Sequence, residues 1–270
     1  MLNANEFEAW FRLLETPGLG RKSARALLRA MGSPDAVLGA SAGQWASIAG
    51  SVAAQCLAAP VTEDLARRLD QARQWLASAA THRAVTLGEP DYPAMLLQTV
   101  DPPLMLYVQG DTRALSGPGI AVVGSRSPTP QGRENARHFA AQLAEAGYTV
   151  VSGLALGVDG QAHEGALSCQ RPTVAVVGTG LDQVYPARHR DLAHRIARSG
   201  ALVSEFCPGT PPLQAHFPLR NRIIAGMTRG TLVVEAALHS GSLITARMAN
   251  DAGRDVFAIP GSIHNPLSRG

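Results

Sequence analysis

Lysine is almost absent from this sequence. Lys22 is the single lysine, and the other residues among the 24 lysines and arginines are all arginines. A GC-rich genome can produce the same bias towards arginine. The scarcity of lysine still has a chemical consequence, because Schiff-base lysines and lysine general bases are nearly excluded. A nucleotide-binding loop of the Walker type is excluded as well. Its pattern Gly-x-x-x-x-Gly-Lys-Ser/Thr needs a glycine at the position that Arg21 occupies.

Cysteine is scarce, and a long apolar run is missing. The three cysteines are Cys56, Cys169 and Cys207. Their spacing fits no zinc pattern, and an odd number cannot form a closed disulfide set, so we expect a reducing compartment. The first ten residues carry acids and lack the apolar core of a signal peptide. No stretch approaches the ~20 apolar residues of a membrane span. We therefore expect a soluble, cytoplasmic protein with no membrane partner.

Charged residues are few, and the net charge is slightly positive. Charged residues make up 17% of the 270 positions, apolar residues 46%, and the formal net charge is +3. Such a composition is that of a globular protein and excludes a disordered charged tail. The mild excess of positive charge permits a polyanionic partner without requiring one. The length suffices for one large domain and a small one.

The pattern of apolar residues changes near residue 80. Residues 5–80 predict helices only, whereas from Ala84 onward short β-rich runs alternate with amphipathic helices such as Glu134–Ala146 and Arg188–Arg198. Alternation of this kind predicts a doubly wound, mostly parallel α/β sheet covered on both faces. We expect a helical domain over 1–80 and an α/β domain over 81–270. The predicted strands are Val85–Leu87, Met105–Val108, Ile120–Val123, Thr149–Val151, Thr173–Val177, Ala201–Val203, Thr231–Val234 and Val256–Ile259.

Glycine is concentrated where four of these strands end. The turns contain Gly124-Ser125-Arg126, Ser152-Gly153, Gly178-Thr179-Gly180 and Ser240-Gly241-Ser242. In open parallel sheets the ligand lies beyond the carboxyl ends of the strands, and glycine lets a phosphate approach the backbone there. A tight turn explains any one of these glycines equally well, but four turns in one sheet favour an anion-binding edge. A dinucleotide cofactor is not expected, because Gln183 stands where the third glycine of the Gly-x-Gly-x-x-Gly pattern belongs.

The segment from Phe217 to Arg222 carries the most information about the ligand. Pro218 suits a helix start, which crowds Phe217, Arg220, Asn221 and Arg222 around one turn. Arginine forks suit phosphate oxygens and an aromatic ring suits a nucleobase, so the combination indicates nucleic acid. The alternative is a buried phenylalanine with arginines paired to acids such as Glu205 or Glu235. The residue types alone leave the two open.

In this order, these motifs resemble those of the DprA/Smf family of DNA-processing proteins, over roughly residues 85–270. The matching strings are Gly124-Ser-Arg, Ser152-Gly-Leu-Ala-Leu-Gly-Val-Asp159, Gly178-Thr-Gly, Tyr185-Pro186, Phe217-Pro-Leu-Arg-Asn-Arg-Ile-Ile, Ser240-Gly-Ser-Leu-Ile-Thr-Ala and Val256-Phe-Ala-Ile-Pro-Gly-Ser. The resemblance implies an extended Rossmann-like domain after a small helical domain. It also implies a homodimer that binds single-stranded DNA in natural transformation, loads a RecA-type recombinase and performs no covalent catalysis.

Carried over to this sequence, the resemblance and the glycine-rich turns give one set of candidate DNA-binding residues. The set has no catalytic and no metal-ligating member. Its members are Gly124, Ser125, Arg126, Gly153, Phe217, Arg220, Asn221, Arg222, Ser240, Gly241 and Ser242. Family members usually continue beyond the Pro-Gly-Ser segment, often into a winged-helix domain. This sequence stops at Gly270, as a truncated chain or a short member would.

Three further features admit more than one interpretation. The turn Pro17–Gly20 resembles a helix-hairpin-helix, which contacts DNA phosphates through backbone amides, but such domains also bind proteins or only pack. Asp159 and His163 stand four positions apart and could face a metal, although helix-start and packing roles explain them better. Glu235 could serve as a base, but we favour a helix-capping carboxylate or a partner of Arg222.

Two other functions compete with DNA binding. Rossmann-like nucleotide hydrolases use Pro-Gly-Gly-x-Gly-Thr followed by a glutamate. Here the corresponding stretch, His239-Ser-Gly-Ser-Leu-Ile-Thr245, has no such glutamate. A nucleotide-sensing protein is the other alternative. It would bind a mononucleotide tightly and oligonucleotides weakly.

Overall fold

The computed structural model describes residues 2–238 and 240–261. Within them the chain forms two compact units that divide after Ser78. The first unit is entirely helical in its described part. Its helices are α1 (Ala4–Glu15), α2 (Arg21–Met31), α3 (Pro34–Leu38), α4 (Ala42–Ala49), α5 (Ser51–Ala58) and α6 (Glu63–Ala77).

The start of the first helix shows how local sequence sets these boundaries. The Asn3 side chain accepts hydrogen bonds from the amides of Asn5 and Glu6, and Glu6 accepts one from the Asn3 amide at 2.8 Å. This reciprocal capping box satisfies amides that the helix itself leaves without partners. The apolar face then buries Phe7 and Phe11. The turn from Pro17 to Gly20 links α1 to α2, and its contact with DNA stays a prediction.

The second unit is an α/β sandwich around an eight-stranded sheet. Its strands are β1 (His82–Thr86), β2 (Met105–Gly110), β3 (Gly119–Val123), β4 (Thr149–Ser152), β5 (Thr173–Val176), β6 (Ala201–Ser204), β7 (Gly230–Val233) and β8 (Asp255–Ala258). Its helices are α7 (Pro130–Glu145), α8 (Val158–Ser168), α9 (Arg190–Ser199), α10 (His216–Gly226) and α11 (Gly241–Asp251). Each predicted strand is present, and the predicted fold class is confirmed.

The strand order is β1-β2-β6-β5-β4-β3-β7-β8. The six strands β6, β5, β4, β3, β7 and β8 run parallel to one another. Strand β2 is antiparallel to both of its neighbours, β1 and β6. From β3 the chain first moves through β4, β5 and β6, and later adds β7 and β8 on the other side of β3. The direction of winding therefore switches between β3 and β7. Ligands of doubly wound sheets lie at such a switch point.

Alternation along β3 shows how both faces of the sheet are covered. Ala121 and Val123 belong to one core cluster, together with Ile223 and Ile224 of α10. Val122, between them, belongs to the opposite cluster with small residues of α7 and α8 such as Ala140. A strand buried on both faces needs apolar residues at every position, which explains the continuous apolar run. Among the described residues, no helix has both the length and the apolar character needed to span a membrane.

Candidate functional site

A cavity of about 560 Å³ opens at the carboxyl ends of the strands, beside the switch between β3 and β7. Its walls come from the turn after β3, the start of α10 and the start of α11. The predicted binding residues that line it are Gly124, Arg126, Phe217, Arg220, Asn221, Ser240, Gly241 and Ser242. The sheet thus brings three separate sequence motifs to one place.

The turn after β3 passes through a confined space. A Cβ atom at Gly124 would lie 2.7 Å from Cγ2 of Val158 and 3.0 Å from the carbonyl oxygen of Glu235, so this position requires glycine. The turn then exposes Arg126 to solvent. Ser125 takes a local role, because its Oγ accepts a hydrogen bond from the Ser127 amide at 3.1 Å. Its side chain shapes the turn and is not part of the cavity wall.

Two aromatic rings and one guanidinium form the outer wall of the cavity. The ring centroids of Tyr185 and Phe217 are 5.8 Å apart at an interplanar angle of 30°. The Cζ atom of Arg126 lies 5.7 Å from the centroid of Phe217, within the range of a cation–π contact. Phe217 is half-buried, whereas Tyr185 is 48% exposed. The wall can therefore offer both a flat apolar surface and a positive charge.

Arg220 lies at the bottom of the cavity and is 5% exposed. Within the described residues its side chain forms no hydrogen bond or ion pair, and its Nε is buried without a partner. Burial lowers the pKa of Arg220 to about 10, with the nearby charge of Asp159 acting in the opposite direction. The group is charged at neutral pH. A buried guanidinium directed into a cavity without a protein acceptor is suited to an anionic ligand.

Asp159 supplies the negative charge nearest to Arg220 and fixes the turn after β4. Its Oδ2 accepts hydrogen bonds from the amides of Gly153 at 3.1 Å and Ala155 at 3.3 Å. Burial raises the pKa of Asp159, and the charge of Arg220 and these amide bonds oppose that rise. Gly153 is packed against Arg220, since a Cβ atom at this position would overlap the guanidinium. Gly153 thus supports Arg220 from behind and does not line the cavity.

The start of α11 forms the opposite wall. Ser240 is the N-cap residue, and its side chain accepts a hydrogen bond from the Ser242 amide. Asn221 reaches this turn, with its Nδ2 donating to the carbonyl oxygen of Gly241 at 3.4 Å. Gly241 is exposed. The positive end of the helix dipole therefore faces the same cavity as Arg126 and Arg220.

Arg222, like Ser125 and Gly153, is a predicted binding residue that does not line the cavity, and its side chain is paired elsewhere. Its guanidinium forms a salt bridge with Glu205, in which the two side chains are 14% and 13% exposed, and it also donates to the carbonyl oxygen of Asp101. It is absent from the cavity wall. The pairing with Glu205 that the residue types left open is therefore the one found for Arg222, whereas Arg220 forms no such pair among the described residues.

Glu235 caps a helix and does not pair with Arg222. Its carboxylate accepts hydrogen bonds from the amide of Thr129 at 2.9 Å and from the Thr129 hydroxyl at 2.6 Å. Thr129 is itself the N-cap of α7. These hydrogen bonds join the segment after β7 to the helix start after β3, on the two sides of the switch point. Its hydrogen bonds explain it without a catalytic role.

His163 is a packed core residue. It is fully buried, and its Nδ1 lies 2.8 Å from the hydroxyl of Thr173, which donates to the carbonyl oxygen of Val150. Nδ1 therefore carries the proton. Burial lowers the pKa of His163 to about 3. Throughout residues 2–238 and 240–261, no three His, Cys, Asp or Glu side chains gather as a metal site would require.

Two residues of the site were missed by sequence reasoning. Tyr185 was noted only as part of a matching string, and Asp159 only as part of another string and as a helix-start residue or a possible metal ligand. Both line the cavity. Tyr185 follows the glycine-rich turn after β5, and an aromatic residue after a strand end on the ligand edge was the available signal.

A doubly wound sheet with a cavity at its switch point, lined by Arg126 and Arg220, defines the chain as a Rossmann-like protein. Sequence comparison then identifies the family. The chain belongs to the DNA recombination-mediator protein A family, whose profile matches residues 83–270.

Individual relatives agree with this assignment. Protein Smf of Escherichia coli is 48% identical over 197 residues, which are 73% of this chain and 52% of the relative. DNA processing protein DprA of Streptococcus pneumoniae is 47% identical over 179 residues, which are 66% of this chain and 63% of the relative. The chain thus spans about half to two thirds of the length of these relatives.

Solved structures show the same fold. The crystal structure of DprA from Streptococcus pneumoniae has a TM-score of 0.83 and 35% identity, covering 97% of this chain and 89% of that one. A structure that concerns the single-stranded DNA binding mode of DNA processing protein A from Helicobacter pylori has a TM-score of 0.63 and 32% identity. It covers 69% of this chain and 85% of that one.

Proposed function

We propose that this protein binds single-stranded DNA in the cavity at the switch point. The observation that carries the proposal is the buried guanidinium of Arg220, which has no acceptor among the described residues and opens into a cavity with an aromatic wall. Arg126 at the rim and the start of α11 add positive charge. A strand that places a phosphate at Arg220 and a base against the aromatic wall uses both features.

The preference for single strands follows from the geometry of the cavity. Its aromatic surface is useful only to a base that is unstacked and unpaired, since a base inside a duplex presents no free face. Readout of a duplex needs an element that enters the major groove and presents side chains to base edges. The cavity instead presents charge and flat apolar surface, which every base can use. Binding is therefore independent of sequence.

Membership of the family supports a broader proposal, in which the chain covers single-stranded DNA during natural transformation and loads a RecA-type recombinase. Such a role needs affinity for the strand without chemistry on it. The hydrogen bonds between Glu235 and Thr129 support the absence of a nucleotide hydrolase activity, because they commit this carboxylate to the N-cap residue of α7. Action as a homodimer is part of the same proposal.

Fluorescence anisotropy with a labelled oligonucleotide tests the central claim. The chain is titrated at physiological salt against a single strand and against the same strand annealed to its complement. We expect tighter binding of the single strand, with little difference between sequences. Equal or tighter binding of the duplex contradicts the proposal. The recombinase step is tested separately, by the rate at which a RecA-type protein coats a strand with and without this chain.

A further inference from the structure

Three protein groups lie close to the half-buried ring of Phe217. The guanidinium of Arg126 lies over the ring, with Cζ 5.7 Å from its centroid. The edge of the ring packs against the turn after β5, where a Cβ atom at Gly178 would lie 3.2 Å from Cδ1 of Phe217. The Tyr185 ring is a further neighbour at 5.8 Å. A base that stacked on Phe217 would have to displace one of these groups.

Tyr185 stands in a different environment at the same cavity. It is 48% exposed although it is a large aromatic residue, and its ring is inclined by only 30° to that of Phe217. Burial of this exposed ring against a stacked base is favourable. Phe217, the inner ring, thus supports Tyr185, the outer ring, and Tyr185 keeps apolar surface open to solvent.

We propose that Tyr185, and not Phe217, is the surface on which a nucleobase stacks when the neighbouring phosphate is bound at Arg126 and Arg220. The inference rests on the proposed function and adds a specific residue to it. Phe217 then acts as a positioning residue, because its ring neighbours both Tyr185 and the guanidinium of Arg126. The ligand class is any nucleotide with a planar base, since a ring face reads no hydrogen-bonding edge.

This arrangement separates two parts of the binding free energy. Arg126 and Arg220 interact with phosphate, which an abasic strand retains. Tyr185 interacts with the base, which an abasic strand lacks. The dependence of affinity on the presence of bases should therefore reside in Tyr185, and the dependence on salt should reside in the arginines.

The experiment compares oligothymidylate with an abasic strand of equal length by anisotropy. The variants are Tyr185→Leu, which keeps apolar bulk but loses the ring, and Tyr185→Phe as the matched control that keeps the ring. Phe217→Leu tests the inner ring. We expect Tyr185→Leu to bind oligothymidylate about tenfold or more weakly and the abasic strand within about twofold of the parent. Tyr185→Phe should bind both strands like the parent.

Each other result has a definite meaning. Unchanged binding of oligothymidylate by Tyr185→Leu overturns the inference, as does an equal loss for both strands at an unchanged melting temperature. A larger base-specific loss in Phe217→Leu than in Tyr185→Leu assigns the stacking to Phe217 and also overturns it. Failure of the parent protein to bind either strand contradicts the proposed function itself, which keeps the two failures distinct.

Discussion

Gly153 and Arg220 are in such close contact that a Cβ atom at position 153 would overlap the guanidinium of Arg220. The glycine follows β4, and the arginine lies in the first turns of α10. The same glycine donates its amide to Asp159 at 3.1 Å. One backbone position thus contacts both the guanidinium of Arg220 and the carboxylate of Asp159, so the location of Arg220 depends on the absence of a side chain at residue 153.

Replacement of this glycine should weaken ligand binding. In Gly153→Ala the new methyl group displaces the guanidinium, so we expect a loss of about tenfold or more in affinity for single-stranded DNA, the size of a charge-assisted hydrogen bond. Gly43→Ala in α4 is the matched control, because a Cβ atom there meets only Oγ of Ser41, at 4.0 Å, and Gly43 does not line the cavity. Anisotropy titrations of both variants measure the difference. Similar affinities for the two would contradict the role of Arg220.

Arg126 should contribute charge and little stability. Its side chain is exposed beyond a buried strand, so Arg126→Ala should lose roughly 1.5–3 kcal/mol of binding free energy without a lower melting temperature. The slope of log affinity against log salt concentration should become shallower by about 0.7, the contribution of one phosphate on a single strand. Arg113→Ala, an exposed arginine away from the cavity wall, should change neither. Parental affinity in Arg126→Ala would show that the turn after β3 does not contact the strand.

Arg222 should act on stability. Its salt bridge with Glu205 is largely buried, and removal of one partner leaves an uncompensated charge. Such a loss costs about 3–5 kcal/mol in the free energy of unfolding. We therefore expect Arg222→Met to lower the melting temperature markedly, and the double variant Arg222→Met/Glu205→Leu to recover part of it. Chemical denaturation of Arg222→Met, Glu205→Leu and the double variant gives the comparison. An additive loss in the double variant would argue against the pair.

His163 should make the fold less stable in mild acid. Its pKa is 6.5 in the unfolded chain and about 3 in the folded protein. The unfolded state therefore binds the extra proton between these values, so stability is fully present above pH 6.5 and is lost as the pH falls. At pH 5 the loss is about 2 kcal/mol. The raised pKa of Asp159 acts in the opposite direction.

The variant His163→Asn isolates the histidine, because the contribution of Asp159 is common to both proteins. Asparagine keeps a donor for the Thr173 hydroxyl and has no proton to gain in this range. Denaturation curves of parent and variant at pH 7 and pH 5 should give a smaller difference between the two pH values for the variant. Equal differences would mean that the histidine does not titrate as its burial requires.

The sequence predicted the sheet well because its signal is local. A strand buried on both faces must be apolar at every position, and the glycines that follow mark its end. The individual arginines of α10 were harder to assign. Successive residues of a helix are rotated by about 100°, so Arg220 and Arg222 point in nearly opposite directions and cannot share one ligand. Which of them faced the cavity depended on the position of α10 against the sheet, and no sequence pattern gives that.

The partners of the acidic residues show the same limit. Glu205 and Glu235 were both possible partners of Arg222, and only the packing of the strands decides between them. Tyr185 lies in a loop, where no periodicity indicates which way a side chain faces. Local sequence patterns therefore predicted the glycine turns, whereas the place of Tyr185 on the cavity wall became evident only from the structure.

The hydrogen bonds between Thr129 and Glu235 join positions that are 106 residues apart in the chain. During synthesis the turn with Arg126 leaves the ribosome long before α10 and α11 exist. The emerging chain thus contains one wall of the cavity without the others. One edge of β3 lacks its partner strand until β7 has been synthesised. Affinity for a nucleic acid should therefore appear abruptly once α11 has been synthesised, and shorter nascent chains should not compete for the ligand.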